Sequence, residues 1–244
     1  MPSRPTVLFL PGLLCDAELW AHQVEHLNDL VTPVVADLTR DDSIAAMAQR
    51  AAMAQRAAGG VQGRFVVVSL SMGGYVAFEL LRTVAERIAG VALVDTTAAP
   101  DTPEKAAERR AGIASLAAGR FAGVTARLLP QLVHPDHIDG PVGAQVRAMA
   151  QRVGGEAYVR QQNAILGRPD SRPLLPRIDM PALVVVGAQD VLTPPAEARV
   201  MHEGIAGSTL HVIPDCGHLP PLERPDTTTA LLRDWLERDV LPTL

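Results

Sequence analysis

Residues 65–74 read FVVVSLSMGG. The run begins with branched and aromatic apolar residues, which is typical of a fully buried strand, and apolar side chains recur at helical spacing after Gly74. Strand and helix meet at Ser71, with the small residues Ser69 and Gly73 two positions to either side. A serine on so sharp a turn holds its hydroxyl clear of a sheet only if those neighbours lack bulk. The stretch therefore predicts a strand, a tight turn that presents Ser71, and a helix.

Five more short apolar runs share this character, and each is bounded by Pro, Gly or Asp. The six runs occupy residues 7–10, 34–36, 65–68, 91–94, 183–186 and 210–213. Continuous apolar runs are expected of strands buried on both faces, and a spacing of roughly 30 residues is that of a strand, a crossover helix and the next parallel strand. The chain is therefore predicted to form an α/β fold with a parallel sheet.

The gap between the fourth and fifth runs is too long for one crossover. Its pattern is helical but is interrupted by Pro and Gly, which predicts several short helices rather than one long one. The candidate segments are 103–118, 124–132, 141–152 and 156–166. We expect residues 1–97 and 178–244 to form the core and residues 98–177 to form an inserted helical lid.

Three residues with the chemistry of a hydrolytic triad follow separate strands. Ser71 follows the third run, Asp190 the fifth and His218 the sixth. Because the carboxyl ends of parallel strands meet at one edge of an open sheet, where such sheets place ligands, these side chains should lie close together. Asp95, which directly follows the fourth run, is a second candidate for the acid.

This arrangement resembles the alpha/beta-hydrolase family, whose nucleophile elbow normally reads Gly-x-Ser-x-Gly and whose triad follows in the order Ser, Asp, His. The resemblance covers nearly the whole chain. It implies a six-stranded, mostly parallel sheet with helices on both faces, Ser71 as nucleophile, His218 as general base and Asp190 as its orienting acid. Ser69 replaces the first glycine of the motif. Taking Ser69 as the nucleophile fits worse, because Val67 would then occupy a position that needs a small residue.

The same resemblance implies the donors that stabilise a tetrahedral oxyanion. They are the backbone amides of Met72, at the start of the helix, and of Leu13, in the loop after the first strand. An apolar pocket for the acyl group should lie beside them. Its candidate residues are Gly12, Leu13, Met72, Phe121 and Leu219.

A serine at the elbow favours acyl transfer over dehalogenase or epoxide hydrolase chemistry. The run RPDSR at residues 168–172, leading into Met180 and Pro181, is similar to the small esterases related to pimeloyl-acyl-carrier-protein methyl ester esterase. This resemblance implies cleavage of a small carboxylic ester through an acyl-enzyme. A carbon-carbon bond hydrolase or a thioesterase on the same triad, and a non-catalytic ligand receptor on the same scaffold, remain alternatives.

Charge is distributed unevenly along the 244 residues. The net charge of −5 argues against a nucleic-acid partner. Residues 101–177, however, contain 11 basic and 7 acidic side chains, which gives this segment +4 and the remainder −9. A basic lid could dock an acidic carrier protein that presents the ester, with Arg147 and Arg152 on one candidate helix as contacts; solvated arginines on a helix face are the alternative.

Other features bound the function further. Two cysteines, Cys15 and Cys216, are too few for a disulfide framework and favour the reducing cytoplasm. No cluster of His, Cys and carboxylate residues has metal-ligand spacing, and no dinucleotide fingerprint follows a strand, so we expect neither metal nor cofactor. The longer apolar stretch from Val7 to Leu14 is interrupted by Pro11 and Gly12, so neither a signal peptide nor a membrane segment is expected.

Overall fold

A computed structural model describes residues 4–59, 63–117, 123 and 127–244. Six strands of this part of the chain form one sheet in the order β2-β1-β3-β4-β5-β6, and every neighbouring pair is parallel. The strands are β1 (Thr6–Leu10), β2 (Thr32–Val35), β3 (Phe65–Leu70), β4 (Ile88–Val94), β5 (Ala182–Gly187) and β6 (Thr209–Ile213). The predicted six-stranded parallel sheet is confirmed.

Helices cover both faces of the sheet. They are α1 (Ala21–Leu27), α2 (Ile44–Gly59), α3 (Met72–Thr83), α4 (Pro103–Ala117), α5 (Leu129–Leu132), α6 (Pro141–Leu166), α7 (Pro195–Gly204), α8 (Pro220–Glu223) and α9 (Pro225–Trp235). Because successive strand side chains point to opposite faces, Phe65 and Val67 join the apolar cluster that contains α2, α3 and α7 residues, while Val66 and Val68 join the cluster that contains α1 and α9 residues.

The two outer strands differ from the prediction that all six are fully buried. All four residues of β2 are only partly buried, and Val212 in β6 is exposed. The reason is topological: these strands lie at the edges of the sheet, where one side has no neighbouring strand. The residues of β1, β3, β4 and β5 are buried, as predicted.

The segment between β4 and β5 contains α4, α5 and α6. The predicted break between residues 152 and 156 appears inside α6 at Gly154, whose φ of 76° is not helical. This segment is packed into the core: Val146 and Met149 belong to one of the two apolar clusters, and Ala164 and Ile165 to the other. In the described part of the chain no helix combines the length and the apolar character that crossing a membrane requires.

Candidate active site

Ser71 occupies the sharp turn between β3 and α3. Its φ of 54° and ψ of −115° are strained for a residue with a side chain. The turn is fixed by its backbone, because the Ser71 amide donates to the Val94 carbonyl at 3.1 Å and the Ser71 carbonyl accepts from the Gly74 amide at 2.9 Å. The half-buried Ser71 side chain lines a cavity.

The glycines after Ser71 are required by close approach. A Cβ on Gly73 would lie 2.2 Å from the Leu10 carbonyl oxygen, and one on Gly74 would lie 2.3 Å from the Thr96 hydroxyl oxygen. Ser69, which stands where the elbow motif has glycine, is fully buried and donates its hydroxyl to the Ala92 carbonyl at 2.9 Å. The Ser69 hydroxyl is thus held inside the sheet.

His218 and Asp190 form a continuous hydrogen-bonded chain with Ser71. The distance from His218 Nε2 to Ser71 Oγ is 2.9 Å, and that from His218 Nδ1 to Asp190 Oδ2 is 2.8 Å. Asp190 also accepts from the Leu192 and Thr193 amides at 2.8 and 3.2 Å and from the Thr193 hydroxyl at 2.6 Å. Burial by itself would raise the pKa of Asp190, but the facing His218 ring and these donors lower it below the usual range, so the carboxylate is ionised.

Asp95, the second candidate for the acid, lies behind Asp190. It is buried, and its Oδ1 accepts from the Gly187 amide at 2.9 Å. Asp95, Asp190 and His218 each place a ligand-type atom within 4.8 Å of one another, which is a donor set a metal ion could use. His218 Nδ1 and Asp190 Oδ2 are bonded directly to each other at 2.8 Å, so in this arrangement both atoms already have a partner within the protein.

The loop that carries His218 is fixed by a residue that the sequence analysis missed. Glu223 in α8 is buried, and its carboxylate accepts from the amides of Gly217 at 3.0 Å, Leu219 at 2.9 Å and His134 at 2.6 Å. Two of these amides flank His218 directly. A glutamate in the otherwise apolar run LPPLE after the histidine is the signal that could have indicated it.

The loop after β1 approaches the Ser71 turn closely. A Cβ on Gly12 would lie 3.4 Å from Ser71 Cβ. Leu14 has a positive φ of 59°, and its amide donates to Gln161 Oε1 at 3.1 Å, while Gln161 Nε2 donates to the Leu38 carbonyl at 3.2 Å. Gln161 is fully buried in α6, so a long-range contact that the sequence analysis missed fixes the loop that presents the Leu13 amide.

A cavity of about 360 Å³ opens above Ser71 and His218. Of the predicted pocket residues, Gly12, Leu13 and Leu219 line it. The Met72 side chain does not, because it is fully buried in the apolar cluster with α3; only its backbone, at the first position of that helix, stays a candidate donor. Phe121 lies outside the described residues. The segment between β4 and β5 also lines the cavity, among others with Asp101, Lys105, Arg109, Leu128, Tyr158 and Ile165.

One wall of this cavity is an ion-paired cluster that the sequence did not indicate. Asp101 accepts from Arg109 Nε at 2.7 Å and from Arg168 Nη2 at 2.9 Å, and Arg168 stacks 4.2 Å from the centre of the Tyr75 ring. Burial would raise the pKa of Asp101, but the two guanidinium groups lower it. Two arginines that share one carboxylate give this three-residue cluster a net positive charge.

Both cysteines are free and buried. Cys15 lines the cavity, and burial, with the adjacent Asp16, raises its pKa to about 12. Cys216, two residues before His218, also has a raised pKa, chiefly through burial and then through Glu223. Neither thiol is a ready thiolate nucleophile at neutral pH, which leaves the Ser71 hydroxyl as the nucleophilic group that faces His218.

Known esterases are similar to this chain in sequence and in structure. The chain is 30% identical over 184 residues to a pimeloyl-[acyl-carrier protein] methyl ester esterase from Neisseria meningitidis, an alignment that covers 70% of this chain and 69% of the relative. Among solved structures, it matches a thermophilic esterase from Thermogutta terrifontis, solved with malate bound, at 32% identity and a TM-score of 0.87 over 97% of this chain and 90% of that one.

A second structure, the enol-lactonase from Burkholderia xenovorans LB400, matches at 26% identity and a TM-score of 0.80, over 97% of this chain and 92% of that one. The family model described as the alpha/beta hydrolase family matches residues 7–231. This match includes residues of all six strands described above and each of the loops that carry Ser71, Asp190 and His218. The chain therefore belongs to the alpha/beta hydrolase family.

Proposed function

We propose that this hydrolase cleaves small carboxylic esters through an acyl-enzyme formed on Ser71. The observation that carries the proposal is the continuous chain of hydrogen bonds from Ser71 Oγ through His218 to the ionised Asp190, at 2.9 and 2.8 Å. Resemblance to esterases over nearly the whole chain supports the same reaction class.

The chemistry follows from the positions of these atoms. Ser71 Oγ attacks the ester carbonyl carbon while His218 Nε2 takes its proton, and Asp190 stabilises the resulting imidazolium. The carbonyl oxygen becomes an oxyanion, for which the Leu13 and Met72 amides are the candidate donors. Collapse breaks the bond to the alcohol, which leaves with the proton from His218. Water, deprotonated by His218, then attacks the acyl ester and releases the acid and the free Ser71 hydroxyl.

The two serines of the turn provide a matched test. Ser71→Ala should abolish the burst of nitrophenol from a short nitrophenyl ester, because no hydroxyl then faces His218. Ser69→Ala, which removes a hydroxyl that donates only to Ala92 within the sheet, should retain a burst equal to the enzyme concentration. A burst in Ser71→Ala would contradict an acyl-enzyme on Ser71, and no release of nitrophenol by the unsubstituted chain would favour the receptor alternative.

We further propose that the ester is presented by an acidic carrier protein. The relative from Neisseria meningitidis bears the name of an esterase for such a substrate. In this chain the support is the net positive charge of residues 101–177, which line part of the cavity. Arg152 is unsuitable as a contact, because it pairs with Asp16 at 2.7 Å and with Glu18. Arg110 and Arg147 follow directly on the cavity-lining Arg109 and Val146, and no ion pair engages either of them in the part of the chain that the structure describes.

A further inference from the structure

Asp95 lies at the carboxyl end of β4 in an unusual backbone conformation. Its φ is 41°, in the left-handed region that non-glycine residues adopt only when their surroundings impose it. The Asp95 amide donates to the Val185 carbonyl at 2.9 Å, which ties the residue to β5, and the side chain is almost completely buried. The fold thus holds a carboxyl group behind the triad at the expense of backbone strain.

The two oxygens of Asp95 have different surroundings. Oδ1 accepts from the Gly187 amide. If Asp95 is ionised, Oδ2 has no hydrogen-bond donor among the described residues. If Oδ2 carries a proton, the Asp190 carboxylate is the candidate acceptor, because carboxyl oxygens of Asp95 and Asp190 lie within 4.8 Å of each other. A single proton therefore satisfies an atom that is otherwise buried without a partner.

The choice of which aspartate carries the proton is decided by the donors around each. Asp190 accepts from two backbone amides, the Thr193 hydroxyl and His218, all of which favour its ionised form. Asp95 accepts from one amide only. Two adjacent buried carboxylates repel each other, so the one with fewer donors takes the proton.

The titratable groups that face Asp95 do not reverse this assignment. They are Asp190 from the loop after β5, Cys216 and His218 from the loop after β6, and Glu223 from α8. None of these is a lysine or an arginine. Burial, followed by the negative charges of Asp190 and Glu223, raises the pKa of Asp95 well above its usual value.

We propose that Asp95 is protonated at neutral pH and donates a hydrogen bond to Asp190, as a positioning residue that holds the Asp190 carboxylate against His218. This role extends the hydrogen-bonded chain to four side chains and rests on the function proposed for Ser71. Asp95 acts through Asp190 and does not touch the reacting atoms.

The proton can be observed without any activity assay. In protein labelled with carbon-13 at the aspartate carboxyls, the Asp95 signal, assigned by its loss in Asp95→Asn, should have the chemical shift of a protonated acid at pH 7. Asp29 is the control, because it is exposed and its bond to Arg233 lowers its pKa, so its signal should be that of a carboxylate throughout. An ionised Asp95 at pH 7 would overturn the proposal.

Kinetics test the positioning role. Asp95→Asn retains a donor and suits a positive φ, so its kcat should stay within about threefold of the unsubstituted chain. Asp95→Ala removes the donor and should lower kcat by about 10- to 100-fold, the range expected for a lost hydrogen bond to a charged group, with KM little changed. Equal kcat values for the two variants, with folding verified by circular dichroism, would contradict the role. The carbon-13 result stands independently of whether Ser71 proves to be the nucleophile.

Discussion

At the scale of single residues, strained backbone marks the site. Leu14, Ser71, Asp95 and Asp215 are the non-glycine residues with positive φ in the described chain, and each lies in a loop after a strand, at the carboxyl edge of the sheet. Such conformations persist only where surrounding contacts over-determine them. Here the four residues lie in the loop that approaches Ser71, at Ser71 itself, at the buried acid behind Asp190 and in the loop before His218.

The buried acid has a consequence for stability that depends on pH. In the unfolded chain Asp95 ionises near pH 4, whereas in the folded protein it keeps its proton to a much higher pH. Below pH 4 the proton is bound in both states; above it, the folded state binds more protons than the unfolded state, so this residue lowers the free energy of unfolding as pH rises. The slope is up to about 1.4 kcal/mol per pH unit until the folded pKa is reached.

Asp95→Asn removes this titration. We expect the free energy of unfolding of Asp95→Asn, minus that of the unsubstituted chain, to increase from pH 4.5 to pH 7 in urea titrations, because every other group titrates in both proteins. Asp29→Asn should give a difference that does not change over this range, because the lowered pKa of the exposed Asp29 keeps it ionised in the folded protein. A flat difference for Asp95→Asn as well would mean that Asp95 is ionised in the folded protein.

At the scale of elements, two helices support the site: α8, which follows directly after His218, and α6, which is far from it in sequence. The short α8 supplies Glu223 to the amides around His218, and α6 supplies Gln161 to the loop after β1. Both are buried side chains that bond backbone groups rather than substrate. Each fixes a loop that lines the cavity above Ser71.

Gln161 permits a specific test of this support. Gln161→Leu keeps the volume of the side chain but leaves the Leu14 amide without its acceptor, so the loop with the Leu13 amide should shift. We expect kcat for a short nitrophenyl ester to fall roughly tenfold, with a smaller change in KM, because an oxyanion donor acts mainly in the transition state.

The control lies on the same helix. Gln151 is exposed in α6, and Gln151→Leu should leave kcat unchanged within about twofold. A tenfold rise in KM with kcat intact in Gln161→Leu would instead place Gln161 in substrate binding, and no change at all would show that the loop does not need it.

At the scale of the whole molecule, charge is separated between parts of the chain. Residues 101–177 have a net positive charge within an acidic chain, although several of their arginines are paired internally, Arg109 and Arg168 with Asp101 among them. An acidic carrier would be attracted to this segment over a distance set by ionic screening, roughly 8 Å at physiological salt.

Hydrolysis of a carrier-linked ester should therefore slow as salt rises, whereas that of a free methyl ester should not. The double reversal Arg110→Glu and Arg147→Glu should raise KM for the carrier-linked ester alone. Arg56→Glu, an exposed charge reversal on α2 away from the cavity, is the control. Equal salt dependence for both esters, or an equal effect of the control, would reduce these arginines to solvated surface charges.

Local patterns in the sequence predicted the sheet and the side chains that meet at its edge. Apolar runs at regular spacing predicted the six-stranded parallel sheet, because strands buried on both faces need continuous apolar residues. The small residues around Ser71 and the order Ser, Asp, His predicted which side chains meet, because parallel strands end at one edge; the structure brings Ser71, Asp190 and His218 within hydrogen-bonding distance.

The remaining features depend on tertiary structure, because strand order and burial beside particular groups are not encoded in a local run of residues. The edge positions of β2 and β6 follow from strand order, which a single run does not encode. Glu223, Gln161 and the pair formed by Asp101 and Arg168 are ordinary polar residues in the sequence, and only burial beside specific backbone or charged groups gives them a role. In the sequence, Asp95 and Asp190 are both candidates for the acid that bonds His218. In the folded protein Asp190 accepts more hydrogen bonds than Asp95, and this difference leaves Asp190 ionised and Asp95 protonated.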